Sequence, residues 1–183
     1  MRTEKQKMLA SERYDARDPE LTADRQRARA LCHAFNAAPT SEGGGHSALL
    51  AELFGYATDA RIEPPFHCDY GYNIALGANV YFNVGCVVLD VAAIAIGANV
   101  LFGPGVHIYA ASHPMSAAER RQGVEFGAPV SIGDDVWVGG GAIICPGSSI
   151  GTGAVIGAGS VVTRAIPALT FAAGNPCRVL RSL

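Results

Sequence analysis

An aliphatic side chain returns every six residues through the second half of this chain, and a smaller residue follows by four positions. A period of six fits neither the 3.6-residue turn of an α-helix nor the heptad of a coiled coil. It is typical of short strands joined by corners, whose inward side chains become buried only when successive turns stack. The pattern therefore predicts an all-β solenoid and not a glycine-rich linker. The aliphatic positions are Ile132, Val138, Ile144, Ile150, Ile156 and Val162.

The same period extends back to about residue 62 in three further series. A two-residue step separates one series from the next, after Ile74 and after Ile94. The segment Leu76-Gly-Ala-Asn-Val returns as Ile96-Gly-Ala-Asn-Val twenty residues later, which predicts one full turn of three sides plus one step. The three series are Ile62, Cys68 and Ile74; Leu76, Phe82, Val88 and Ile94; and Ile96, Phe102 and Ile108.

Helical patterns precede the repeats. The charged residues 1–17 predict one short helix, and Asp18-Pro19 has the form of an N-cap followed by a first helical residue. An apolar stripe then continues to about residue 37, and a loop is expected over residues 38–46. A second helix is expected from about Ala48 to Phe54, ended by Gly55. These helices would bury their stripes by covering the open first turn of the solenoid. On the other face of the first stripe, Arg25, Arg27 and Arg29 are most simply solvated.

One insertion interrupts the repeats. Residues 114–129 lack the six-residue pattern, and loops of this length in compact domains are usually functional or mobile. After residue 165 the chain is rich in turns and ends in basic residues. We therefore expect a single domain with a helical segment at 1–58, a β-helix at 59–165 containing the inserted loop, and a C-terminal tail at 166–183.

Composition narrows the class of protein. The 183 residues are 49% apolar and carry a formal net charge of −2, so we expect a packed core and no nucleic-acid partner. No run of about 18 apolar residues and no signal sequence is present, which predicts a cytoplasmic protein without a membrane partner. The five cysteines include no Cys-x-x-Cys pair and argue against a disulfide framework. Cys68 and Cys86 occupy repeat positions and are predicted to fill the core.

Strand alternation sorts the polar residues, because the neighbours of inward positions point outward. His113 lies five places after Ile108 and directly before the insertion, so we expect it to face outward at the base of a loop. A neutral histidine there is a candidate general base near pH 7. The alternative is a surface histidine bonded to a local backbone group. His107 and His67 compete for the role, but His107 has no loop beside it.

Three motifs add to the repeats and the N-terminal helices. They are Cys68-Asp-Tyr-Gly-Tyr-Asn73, Gly105-Val-His-Ile-Tyr-Ala-Ala-Ser-His-Pro114 and Gly174-Asn-Pro-Cys-Arg178. Over nearly the whole chain this combination resembles the hexapeptide-repeat O-acetyltransferases, in the branch of the maltose, galactoside and nodulation acetyltransferases. The resemblance implies a left-handed parallel β-helix of about five coils. It also implies a homotrimer with active sites between subunits, acetyl-CoA as the acetyl donor, and no required metal.

The resemblance further implies roles for single residues. His113 matches the catalytic base, which would remove a proton from a sugar hydroxyl for direct attack on the thioester. Glu125 is a candidate to orient His113. Alternatively, Glu125 is a solvated loop carboxylate, and a backbone carbonyl orients the imidazole in its place. A backbone N–H or the amide of Asn83 is expected to stabilise the developing oxyanion.

For the acceptor, Asp69 and Asn83 match family positions at the acceptor site, and Asp90 is a further candidate. The alternative for Asp90 is a corner-turn aspartate. The family also contributes a carboxylate near the N-terminus. Here Asp15 lies close to that position, but the match is displaced by one residue and places Ala16 there. This departure leaves the sugar specificity open.

For acetyl-CoA, the resemblance assigns a groove for the pantetheine arm with small or polar walls, and further positions near the nucleotide end. Arginine suits phosphate because its guanidinium donates two parallel hydrogen bonds. The single tryptophan, Trp137, is expected to pack at a subunit interface. The groove positions are Asn83, Gly139, Gly140 and Ala158, and the nucleotide-end positions are Thr163, Arg164, Arg178 and Arg181.

Two other functions fit part of the sequence. A γ-type carbonic anhydrase shares the solenoid and binds zinc through three histidines across a subunit boundary, for which His67, His107 and His113 are the candidates. A non-catalytic solenoid for binding or assembly is the other alternative. The Ser-His-Pro box and the long N-terminal helices favour the transferase.

Overall fold

The computed structural model describes residues 2–38 and 45–183. Its helices are Glu4–Leu9 (α1), Pro19–Ala37 (α2), Gly45–Phe54 (α3) and Ala117–Arg121 (α4). Its strands are Tyr14–Asp15 (β1), Arg61–Ile62 (β2), Phe66–Cys68 (β3), Ile74–Leu76 (β4), Tyr81–Phe82 (β5), Cys86–Leu89 (β6), Ile94–Ile96 (β7), Leu101–Phe102 (β8), His107–Tyr109 (β9), Ala111–Ser112 (β10), Val124–Gly127 (β11), Val130–Ile132 (β12), Trp137–Val138 (β13), Ile143–Ile144 (β14), Ser149–Ile150 (β15), Val155–Ile156 (β16), Val161–Val162 (β17), Thr170–Ala173 (β18) and Arg178–Ser182 (β19).

The short strands form three parallel columns, the sides of a left-handed parallel β-helix. One column contains β2, β5, β8, β13, β16 and β18, with β19 added antiparallel at its end. The second contains β3, β6, β9, β14 and β17, and the third β4, β7, β12 and β15. The longest column, the first, has six parallel strands, one more than the five coils expected, because β18 adds a strand beyond residue 165.

Each two-residue step in the sequence lies within a three-residue strand of the third column, Ile74–Leu76 (β4) or Ile94–Ile96 (β7), whose first and last residues both point inward. Leu76 pairs with Ile96, so this turn is twenty residues long, as predicted. Ile94 pairs with Val130 thirty-six residues later, because the insertion is added to a twenty-residue turn. A turn without a step or insertion takes 18 residues, from Ile132 to Ile150.

The inward positions predicted from the hexads form the core. All six aliphatic residues from Ile132 to Val162 are at most 3% exposed, and the small residues between them are equally buried. In the N-terminal coils, Phe82 and Phe102 stack with ring centroids 4.4 Å apart. Cys68 and Cys86 are buried in this core, as predicted. The interior is therefore one continuous apolar core, in which the side chains of each coil pack against those of the next.

Helices α2 and α3 cover the first turn. Asp18 caps α2 by accepting hydrogen bonds from the backbone N–H groups of Glu20 and Leu21, as the sequence indicates. The Asn36 side chain accepts from the N–H of Phe66 at 2.8 Å and donates to its carbonyl at 3.0 Å. This amide satisfies the free edge of β3 as a neighbouring strand would, which protects the end of the solenoid from pairing with another chain.

Helix α3 begins at Gly45, inside the loop expected over 38–46, and the rest of that loop at residues 39–44 lies outside the described residues. Residues 166–183, expected from the sequence to form a tail, contribute the hairpin β18–β19. In the described part of the chain, no helix is both long enough and apolar enough to cross a bilayer.

Candidate active site

A small antiparallel sheet stands apart from the three columns and carries the candidate catalytic residues. Its order is β1, β11, β10, so a strand from the N-terminal segment pairs with the inserted loop, which pairs in turn with the end of a coil. Tyr14 lies opposite Glu125, and Ser112 lies opposite Phe126. His113 directly follows β10, and one more step of the register faces it toward Glu125.

Glu125 connects the two neighbouring strands. Its Oε2 accepts a hydrogen bond from the hydroxyl of Tyr14 at 2.8 Å, and its Oε1 lies 3.9 Å from Nδ1 of His113. The His113 side chain is 57% exposed, whereas that of Glu125 is 27% exposed. The imidazole is therefore open to a ligand and backed by a half-buried carboxylate, which is the environment in which a histidine exchanges protons.

His113 opens into a cleft of about 340 Å³ between the helical segment and the solenoid. Helix α2 contributes Arg25 and Arg29 to its wall, and the corner after β3 contributes Asp69. Burial, together with the nearby charges of Asp90 and Glu125, raises the pKa of Asp69 to about 6. The cleft therefore combines an exposed imidazole with charged and hydrogen-bonding groups, as a polar acceptor requires.

The sequence left two roles open for Asp90, an acceptor contact and a corner-turn residue. The structure favours the corner-turn role. It is fully buried, and its carboxylate accepts from the backbone N–H groups of Asp69, Tyr70 and Asn73. The burial of its charge raises its pKa, while these backbone donors act in the opposite direction. Asp90 thus shapes the turn that presents Asp69.

Asp15 lies outside the cleft. Its carboxylate forms an ion pair with Arg17 at 2.9 Å and borders a separate depression against Glu119. Ala16 and Arg17 border the cleft itself. The one-residue displacement noted in the sequence therefore means that the N-terminal segment contributes Ala16, and not the Asp15 carboxylate, to the wall of the cleft.

A second groove of about 510 Å³ runs along the solenoid. It brings together Asn83, Gly139, Gly140 and Ala158, the groove positions expected from the sequence, and adds Trp137 and Phe171. Asn83 Oδ1 accepts from the N–H of Val84 at 2.8 Å, which leaves its amide N–H donors for other partners. Gly139 has no room for a side chain, because a Cβ there would lie 2.5 Å from the backbone nitrogen of Ala158. The close stacking of these two coils therefore requires glycine in this wall of the groove.

Thr163, Arg164, Arg178 and Arg181 are exposed and lie beyond the groove walls. Arg181 stands at the groove margin, where its guanidinium carbon lies 5.6 Å from the ring centroid of Phe171. Arg178 donates to the carbonyl of Cys177 at 2.9 Å. Arg178 and Arg181 thus lie on the C-terminal hairpin, whereas Arg164 follows β17. Among the described residues of one protomer, none lines both the groove and the His113 cleft.

Comparisons with known proteins agree with this architecture. Residues 7–57 match the maltose acetyltransferase hexapeptide capping motif, and residues 129–164 match the six repeats of the bacterial transferase hexapeptide. Nodulation protein L of Rhizobium meliloti (strain 1021) is 49% identical over 97% of this chain and 98% of its own length. The chain belongs to the hexapeptide-repeat acetyltransferases.

Solved structures of this acetyltransferase family have the same fold. A maltose O-acetyltransferase from Clostridium difficile 630 is 47% identical with a TM-score of 0.96, covering 100% of this chain and 98% of its own. The hexapeptide-repeat acetyltransferase VCA0836 from Vibrio cholerae O1 biovar eltor, solved with acetyl-CoA, is 38% identical with a TM-score of 0.91. That match covers 100% of this chain and 99% of the other.

Membership of the acetyltransferase family favours the transferase over the anhydrase and the non-catalytic solenoid. The three histidines considered as zinc ligands are also differently placed. His67 and His107 share one column two turns apart, each paired with Val87, and His107 Nδ1 is hydrogen-bonded to the hydroxyl of Tyr109. Among residues 2–38 and 45–183, no group of three or more His, Cys, Asp and Glu side chains is arranged to hold a metal ion.

Several cleft residues of this acetyltransferase were missed from the sequence. Arg25 was expected to be solvated, but it donates to the hydroxyl of Tyr70 at 2.7 Å and to the carbonyl of Ala16 at 2.6 Å. Arg29 was also assigned to solvent and borders the cleft. Their i, i+4 spacing on α2 was a signal that both lie on one helical face. Tyr14 lies behind Glu125, and no local pattern in the sequence announces that these two residues pair.

Proposed function

We propose that this chain transfers the acetyl group of acetyl-CoA to a hydroxyl of a sugar, with His113 as the general base. The observation that carries the proposal is the exposed imidazole of His113 in a polar cleft, with the carboxylate of Glu125 at 3.9 Å from its Nδ1. A carboxylate hydrogen-bonded to one ring nitrogen orients a histidine and leaves its second nitrogen free, and the 3.9 Å separation would have to shorten to a hydrogen bond when the substrates bind. In this proposal Glu125 is the orienting group.

The reaction needs one proton carrier and no covalent enzyme intermediate. Nε2 of His113 takes the hydroxyl proton as the acceptor oxygen forms a bond to the thioester carbonyl carbon. When the tetrahedral intermediate collapses, the carbon–sulfur bond breaks and the imidazolium returns its proton to the thiolate. Base catalysis by one positioned histidine accounts for about 10²–10⁴-fold, and alignment of the two substrates supplies the rest.

The groove along the solenoid is the proposed site for acetyl-CoA. Its walls of Gly139, Gly140 and Ala158 are low enough for a slender pantetheine arm, and the amide of Asn83 is a donor for the oxyanion. Arg181 stands beside Phe171 at the groove margin, and Thr163, Arg164 and Arg178 complete the expected phosphate-binding positions. Support comes from the family member VCA0836, whose structure was solved with acetyl-CoA.

We further propose a homotrimer in which each active site lies between subunits. Because none of the residues that the structure describes lines both the His113 cleft and the groove of one protomer, a site formed between subunits would bring one protomer's imidazole to its neighbour's thioester. The 55% exposed indole of Trp137 would then be covered by the neighbouring subunit, as expected from the sequence. The cytoplasmic location predicted from the sequence is part of the same proposal.

Two observations support a sugar as the acceptor: the polar lining of the cleft, and the similarity to a maltose O-acetyltransferase. Asp69, Arg25 and Arg29 offer acceptors and donors for several hydroxyl groups. The Clostridium difficile structure with the same fold is a maltose O-acetyltransferase. Asp15 and Asp90, expected from the sequence at the acceptor, are not part of the proposed contact set, because the first lies outside the cleft and the second is buried in a corner.

An acceptor screen tests the proposal. The purified protein is incubated with acetyl-CoA and with maltose, glucose, a galactoside, chitin oligomers or simple amines, and thiol release is followed. We expect a sugar to give the highest kcat/KM and an ester product by mass spectrometry. An amine that exceeds every sugar by orders of magnitude, with an amide product, would overturn the sugar assignment.

A further inference from the structure

The hydroxyl of Tyr14, on the N-terminal strand β1, donates a hydrogen bond to the carboxylate of Glu125. We infer that Tyr14 is a positioning residue for the acetyl-transfer reaction: its hydroxyl holds Glu125 so that the second carboxylate oxygen faces His113. The inference rests on the proposed function, since it needs His113 to act as the base. It assigns part of the active site to the segment that precedes the repeats.

The three side chains form a row across the small sheet. Tyr14 and Glu125 are directly opposite each other on β1 and β11. Residues opposite each other in an antiparallel pair project from the same face, so the phenol and the carboxylate must meet. The register between β10 and β11 then faces His113 toward Glu125 from the other side. The strand pairing therefore places the three side chains in one row, within reach of one another.

The two oxygens of Glu125 are divided between the two neighbours. Oε2 accepts from the Tyr14 hydroxyl at 2.8 Å, and Oε1 faces Nδ1 of His113 at 3.9 Å. A carboxylate on a half-exposed loop strand has several rotamers, and one hydrogen bond from a fixed donor selects among them. With Oε2 bound, the side chain cannot rotate Oε1 away from the imidazole without breaking that bond.

Tyr14 is itself a fixed donor. Its side chain is 2% exposed and packs in a separate apolar cluster with Met8, Leu21, Tyr70 and Val91. Burial and the adjacent negative charge of Glu125 raise the pKa of Tyr14, so the phenol stays protonated and can only donate to the carboxylate. The hydroxyl therefore has a defined proton and a defined direction.

The sheet is held by other contacts, so the hydroxyl can be removed without dismantling it. The N–H of Ala16 donates to the carbonyl of Gly123 at 3.1 Å, and Nη2 of Arg17 donates to the carbonyl of Gln122 at 2.6 Å. One backbone bond and one bond from the Arg17 guanidinium thus join the N-terminal segment to the inserted loop without the Tyr14 hydroxyl. A Tyr14→Phe change keeps the buried ring and these links, and deletes only the donor to Glu125.

The test is a double-mutant cycle with Tyr14→Phe, Glu125→Ala and the double variant. Steady-state kinetics use acetyl-CoA and the best acceptor among maltose, glucose, a galactoside and chitobiose. We expect Tyr14→Phe to lower kcat about tenfold with little change in KM for acetyl-CoA, the scale of one charge-assisted hydrogen bond. In the Glu125→Ala background the same change should have no further effect, because its target is absent.

Tyr56→Phe is the matched control. The Tyr56 hydroxyl donates to the carbonyl of Ile74 at 3.0 Å and accepts from the N–H of Leu76 at 2.8 Å, away from both clefts. It should lower the melting temperature but leave kcat unchanged. The inference is overturned if Tyr14→Phe leaves kcat unchanged, if its loss only parallels its melting temperature as in the control, or if it persists in full in the Glu125→Ala background.

His113→Ala, measured in the same assay, separates this inference from the proposed function. If His113→Ala abolishes transfer while Tyr14→Phe is fully active, the proposed function stands and the role of Tyr14 is wrong. If His113→Ala is fully active, the proposed base is wrong, and Tyr14 has no base to position.

Discussion

Asp69 lines the His113 cleft, and the carboxylates of Asp90 and Glu125 lie near it. Burial, together with these two charges, raises its pKa to about 6. The folded chain therefore holds this proton to higher pH than the unfolded chain, whose aspartates titrate near 3.9. Between these two values the folded state binds more protons, so this site reduces stability as the pH rises through the window and remains unfavourable above about 6.

Replacing Asp69 with Asn should remove that penalty. We expect Asp69→Asn to raise the free energy of unfolding at pH 8 by about 2 kcal/mol, allowing for solvent in the cleft, and to have no such effect at pH 4. Urea denaturation at both pH values measures the difference. A gain that is equal at pH 4 and pH 8 would show that the Asp69 charge is not its source.

Single residues differ in how far the sequence could place them. The outward position of His113 follows from strand alternation alone, and the structure agrees. The ambiguity of Asp90 could not be resolved, because an acceptor contact and a turn residue have the same local sequence signature. Arg25 was assigned to solvent because its partners, Tyr70 and Ala16, come from two other segments of the chain.

At the scale of elements, strand β14 contains a direct test of the solenoid. Ile143 and Ile144 are adjacent and chemically identical, but Ile144 is fully buried in the core while Ile143 faces outward and is partly exposed. Truncating a buried isoleucine leaves a cavity that a stacked solenoid cannot readily fill from neighbouring layers. The two positions thus form a matched pair on one strand.

Ile144→Ala should lower the free energy of unfolding by about 2–5 kcal/mol, and Ile143→Ala by clearly less. Urea denaturation of both variants under the same conditions measures the pair. Equal losses, or a larger loss at Ile143, would contradict the inward assignment of the aliphatic repeat positions.

Elements built on the hexads could be predicted, and those built on pairing between distant segments could not. The twenty-residue turn was evident from the repeated Leu76 and Ile96 segments, because each turn repeats the same environment. The pairing of β1 with β11 joins residues 111 positions apart through two-residue strands, and such strands carry no periodic signal. The hairpin β18–β19 was likewise hidden by the turn-rich composition of the C-terminal segment.

At the scale of the whole molecule, the proposed function places each reaction between two protomers, because the two clefts are separate. His113 lines one cleft and Asn83 lines the other, and a reaction between the two substrates needs both. A trimer of this 19.0 kDa chain would have a mass of about 57 kDa. Apolar side chains on the outer surface, including Trp137 and Leu101, are available for burial in such an assembly.

Subunit mixing tests this arrangement. Light scattering should give the mass of a trimer, and His113→Ala and Asn83→Ala should each be nearly inactive alone. Co-expressed in mixed trimers, they should recover part of the activity, because some sites pair an intact His113 with an intact Asn83 from a neighbour. A monomer of full activity, or mixed trimers with no recovery, would place the whole site within one chain.

The most direct test of the account is the kcat/KM of His113→Ala with acetyl-CoA and the best sugar acceptor, measured beside His67→Ala. His67 is an exposed histidine on the solenoid outside both clefts, so it controls for loss of a surface imidazole. We predict a loss of about 10²–10⁴-fold for His113→Ala at an unchanged melting temperature, and none for His67→Ala. Undiminished transfer by His113→Ala would contradict the role of His113 as the base.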